Sequence, residues 1–134
     1  EAAPVETARK IHRYPMRRTV EIDLSSNETL YTLRSDGGEF DGAVLARLDD
    51  IDLDIGYYLM KRYRMIEDDP LSASTELFQR TVLRRDDWSV RLVCRTRLTA
   101  TEKHFQFSCD LETFEGDRPF LERSWALSIP RQLV

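Results

Sequence analysis

The sequence is poor in the residues that do chemistry. Among its 134 residues there are two cysteines, Cys94 and Cys109, and two histidines, His12 and His104. Two cysteines are too few for a disulfide scaffold or a four-ligand zinc site, and the histidines add no metal-ligand spacing. With only five glycines there is no phosphate-cradling loop, since Gly37-Gly38 has no following helix to bind an anion. No apolar run reaches the roughly 18 to 20 residues that a membrane-spanning helix needs. A basic stripe able to neutralise phosphates is also missing, which argues against a nucleic-acid partner.

Catalytic patterns fare no better. There is no G-x-S-x-G elbow, and neither histidine lies near a plausible nucleophile. The run Asp49-Asp50-Ile51-Asp52-Leu53-Asp54 has the acidity of a calcium loop without its mid-loop glycine and closing glutamate, so it reads as a solvated edge. No catalytic, metal or cofactor site is expected.

What is present is a balanced composition. Hydrophobic residues make up 41% and charged residues 33%, with a net charge of −4, which fits one folded domain. The small number of cysteines makes a reducing, cytoplasmic setting the default expectation. Residues 1–14, punctuated by Pro4, read as an N-terminal tail or linker with at most a turn or two of helix. The start at Glu1 suggests a segment of something longer or a processed product.

From Pro15 onward the pattern has a period of two, the signature of half-buried strands. Arg18, Val20, Ile22 and Leu24 alternate with polar neighbours. Ser25-Ser26-Asn27-Glu28 supplies turn chemistry, and Asp36-Gly37-Gly38 a break. A long row holds Ile55, Tyr57, Leu59, Lys61, Tyr63 and Met65. Asp68-Asp69-Pro70 ends it, because proline cannot donate to a ladder. Ser72 to Arg84 is strand-like, with Leu77 and Leu83 on one face and Phe78 and Val82 on the other. Trp88, Val90, Leu92, Cys94, Thr96 and Leu98 form the cleanest row, then Phe105, Phe107, Cys109 and Leu111. Beyond a Gly116-Asp117 turn come Leu121, Trp125, Leu127 and Ile129. Short connections predict an all-β, antiparallel up-and-down meander of about seven or eight strands, either a strongly curved sheet or a calycin-like barrel.

A tight four-residue loop from Ala100 to Lys103 would set Thr99 against His104, Leu98 against Phe105 and Cys94 directly against Cys109. It would also bring Arg91 to Glu112 on the outer face. The cysteines are expected to pack as small apolar residues, with a redox pair as the alternative.

Two basic residues interrupt the apolar rows: Lys61 between Leu59 and Tyr63, and Arg123 between Leu121 and Trp125. A buried unpaired charge is costly. One reading is a cupped pocket in which Tyr57, Tyr63 and Trp125 offer Lys61 and Arg123 to an anionic ligand. The plainer one, which is the expectation, is that the strands are edge-like or bulged and both charges reach solvent.

Four segments in order, Asp68-Asp69-Pro70-Leu71-Ser72-Ala73, Asp87-Trp88-Ser89-Val90-Arg91, Phe114-Glu115-Gly116-Asp117 and Arg123-Ser124-Trp125 with Ile129-Pro130-Arg131-Gln132-Leu133-Val134, resemble the C-terminal extension of CocE/NonD family hydrolases. These are relatives of cocaine esterase and X-Pro dipeptidyl-peptidase. The resemblance covers Pro15 to Val134, and Gln132 stands where the family carries an Asp. It implies a serine α/β-hydrolase domain and a β jelly-roll preceding this region, and a natural C-terminus at Leu133-Val134. No position here matches the family's nucleophile motif, so the implied role is a non-catalytic accessory domain. Its implied partners are a hydrolase domain of the same protein or a homo-oligomer partner. The alternative is a free-standing β-barrel binder of a small anionic ligand.

Overall fold

The computed structural model describes residues 9–10, 16–37 and 46–132. They form one antiparallel sheet of nine strands: β1 Arg9–Lys10, β2 Arg17–Asp23, β3 Glu28–Gly37, β4 Ala46–Leu48, β5 Leu53–Ile66, β6 Asp69–Arg85, β7 Trp88–Ala100, β8 His104–Glu115 and β9 Arg118–Pro130. The single helical element among the described residues is a 3-10 turn, Asp49–Ile51. Among the described residues no helix is long and apolar enough to cross a membrane.

From β5 to β9 each strand pairs with the next in the chain, so this part is an up-and-down meander. On the other side of β5, β3 lies along Tyr57 to Ile66 and β4 along Leu53 to Ile55. β2 pairs with β3, and Arg9–Lys10, inside the stretch read as a tail, pair with Arg47 and Ala46. The sheet does not close into a barrel: β9 is hydrogen-bonded to β8 alone, and every residue of β2 and β9 is exposed. A calycin-like barrel needs those two edges joined.

Two bulges shape the ladders. Between β5 and β6 the register shifts after Arg64, and Pro70 falls in the irregular stretch, where a missing N–H breaks no regular ladder. There the Ile66 N–H donates to Ser72 Oγ (2.7 Å), which itself donates to the Asp69 carbonyl (2.6 Å). The second bulge lies at Thr113/Phe114, beside Pro119.

The β7–β8 register differs from the expected one by two residues. The Thr101 N–H donates to the His104 carbonyl (2.8 Å) and the His104 N–H to Thr101 Oγ1 (3.0 Å), so the connection is shortened to 101–103 and Ala100 faces Phe105. Cys94 therefore faces Leu111, Cys109 faces Thr96, and Arg91 faces Phe114 instead of meeting Glu112. A slip of two leaves every side chain on its own face. Both thiols are free, with their sulfurs 3.6 Å apart, far beyond the roughly 2.05 Å of a disulfide.

Candidate functional site

Following paired residues from strand to strand sorts the side chains into two faces. The first face carries most of the charge, and several of its ions are paired. Arg64 pairs with Glu28, and Arg95 with Glu112. Arg47 holds the acidic run, with Nη1 2.7 Å from Asp54 and Nη2 2.7 Å from Asp52. The bond to Asp54 chiefly raises its guanidinium pKa. The acidic run is thus closed by an arginine, and no group of three metal-binding side chains occurs among the described residues. The few aromatic rings on this face are covered by cations: Arg91 lies 4.3 Å from the Phe114 centroid, Arg95 5.5 Å from Phe78 and Arg34 5.8 Å from Tyr58. Such stacking lets an exposed ring meet water through a guanidinium.

The second face is apolar from edge to edge. One cross-sheet row reads Val20, Tyr31, Tyr63, Thr75, Leu98, Phe107 and Leu127; the next reads Arg18, Leu33, Lys61, Leu77, Thr96, Cys109 and Trp125. Strands pack extensively only against their hydrogen-bonded neighbours, so no second layer covers these rows among the described residues. Among the described residues only Leu59 (8% exposed), on this face, and Val93 (7%), on the other, are buried apolar side chains. Val20, Ile22, Tyr63, Met65, Trp88, Leu98, Phe105, Leu121, Trp125, Leu127 and Ile129 all remain exposed on this one face.

At one end of the face is a groove of about 360 Å³. Tyr31 and Tyr63, with ring centroids 5.9 Å apart, form one side, Leu98 and Phe105 the other, and Ala73, Thr75 and Ala100 its floor. Small residues between large ones produce the depression.

All five residues singled out in the sequence lie on the apolar face, in two groups. Tyr57, Lys61 and Tyr63 stand on β5, and Arg123 and Trp125 on β9. Four strand spacings of about 4.8 Å put the groups roughly 19 Å apart along the sheet. Tyr57 is half-buried, which raises its phenol pKa. Lys61 is half-buried between Leu33 and Leu77, whereas Arg123 is exposed beside Leu111. Neither cation makes an ion pair or hydrogen bond among the described residues.

The sequence reading missed Tyr31 and the groove. It treated the apolar rows as inward-facing, which presumes an opposing layer, and row parity alone cannot distinguish a covered face from an open one. Comparison of the chain with protein-family models, curated proteins and solved structures gives no match.

Proposed function

We propose that this chain is a non-catalytic accessory module of a larger acyl esterase or X-Pro-peptidase-like serine hydrolase, lying with its apolar sheet face against a neighbour. The observation that carries the docking part is the contrast between the faces. One has several of its charges paired and its rings capped by arginines; the other leaves two tryptophans and most of the large exposed hydrophobic side chains uncovered. Exposed apolar area of this extent marks an interaction surface. A sheet with two well-buried apolar side chains among its described residues gains little from folding by itself and more once covered. The hydrolase part rests on the CocE/NonD-like motifs in their order, and on the lack of a nucleophile elbow in this chain.

The test is the reading frame that encodes the chain, with an activity control. A serine hydrolase domain with a G-x-S-x-G elbow is expected upstream of Glu1 in the same frame. The 134-residue chain alone is expected to give no turnover of p-nitrophenyl acyl esters above buffer. A frame with no hydrolase domain, or esterase turnover by this chain alone, overturns the proposal.

A further inference from the structure

The apolar face is unusual in the sign of its charges. At paired strand positions it carries Arg18, Lys61, Arg85, Arg118 and Arg123, and a single carboxylate, Glu115, which stands opposite Arg118 at the sheet's end. The protein as a whole is acidic, with net charge −4. The acids are therefore sorted onto the other face and the loops, and the face with most exposed hydrophobic area is locally cationic. Lys61 lies mid-sheet, flanked by Leu33 and Leu77 across the strands and by Leu59 and Tyr63 along its own.

Two copies packed face to face would bring only cations into the middle of the contact. Each would lose its water without gaining a counter-charge, a cost of the kind that prevents burial of unpaired ions. A lipid surface suits the pattern poorly as well. Its phosphates lie in one layer above the acyl region, and a sheet entering apolar face first would carry Lys61 below that layer. A protein surface can place a carboxylate within an apolar patch, where Lys61 and Arg123 require one.

We infer that the face receives a protein surface whose apolar area bears carboxylates, seated so that they reach Lys61 and Arg123. This deepens the accessory-module reading and rests on it. Apolar contact supplies the area, and the two cations select an acidic neighbour and reject a second copy.

Trp88 and Trp125, the chain's two tryptophans, both stand on this face, so their emission reports its coverage. The probes are dodecanoate and dodecylammonium, each kept below its micelle concentration: the same alkyl chain with opposite charge. The expected result is a blue shift at about five-fold lower concentration for dodecanoate, the size of one modest ion contact. The preference runs against the net charge of the protein, so long-range attraction cannot produce it. In Lys61→Leu/Arg123→Leu, and in the milder Lys61→Gln/Arg123→Gln, uptake persists and the preference disappears. Equal uptake of both amphiphiles by the wild type, or a preference surviving both double variants, overturns this inference and leaves the accessory-module reading standing. No uptake of either probe overturns both. Two further results overturn the inference alone: a wild-type dimer in sedimentation velocity with blue-shifted tryptophans, which would make a second copy the occupant, and co-sedimentation with phosphatidylglycerol vesicles.

Discussion

Cys94 lies in the apolar rows with its sulfur against that of Cys109, and a side chain so placed resists ionisation. Burial is the main cause of its raised thiol pKa; the Thr96 hydroxyl acts the other way and contact with Cys109 adds to the rise. The folded chain therefore keeps this proton at a pH where the unfolded chain has released it. For such a group the stabilising contribution is complete below the unfolded pKa and is lost as pH rises through the folded one. Tyr57, raised by burial, acts with the same sign. The expected outcome is a urea midpoint that falls as pH is taken upward past the ordinary thiol value of 9.0. In Cys94→Ala the alkaline fall is shallower than in the wild type, whatever the variant loses in packing at neutral pH. Identical slopes for the two proteins would remove Cys94 from the account. The same raised pKa makes this thiol a slow nucleophile, in keeping with a packing role.

Among the elements, hairpins decide the register. Among the described residues four non-glycine ones have positive φ, namely Asn27, Asp52, Asp68 and Asp86, and Gly116 joins them at φ 57. Asn27, Asp68, Asp86 and Gly116 lie in the β2–β3, β5–β6, β6–β7 and β8–β9 connections. Residues of this kind enter the left-handed region most readily. A Cβ built on Gly116 meets nothing within 4 Å, so substitution there carries a conformational cost without a steric one. Gly116→Ala is expected to destabilise the chain by about 1 kcal/mol, read from chemical denaturation. A neutral result would show that the β8–β9 hairpin tolerates another turn.

These elements also mark how far the sequence was legible. Alternation from Trp88 to Ile129 placed β7, β8 and β9 and put the apolar rows it named on one face, though it did not show the bulge beside Pro119 that changes the parity at Arg118. Likewise Lys61 and Arg123 stood out because they broke apolar rows. The β7–β8 register was not legible, since it depends on the Thr101 hydroxyl shortening a turn, and a shift of two leaves the alternation unchanged. Nor was the openness of the apolar face, because alternation records which side chains share a face and says nothing of what lies opposite.

For the molecule as a whole, the number of layers governs the energetics. Denaturant sensitivity scales with the area newly exposed on unfolding. A single sheet with one uncovered apolar face already exposes much of that area when folded. Urea unfolding of the chain by itself is therefore expected to give an m-value near the low end of the usual range, about 1 kcal/mol/M. A value of about 2 or more would mean that the face is covered in solution. The ladder order of the sheet has a further consequence, for the way the chain folds. From β5 onward each strand meets the one made just before it, across connections of only two or three residues. The loop-closure cost of each addition is small, and contacts this local in sequence belong to fast folders. The meander can grow like a zipper as the chain emerges from the ribosome, each new strand finding its template already laid down. β9 is added last, and nothing in the sheet has to wait for it.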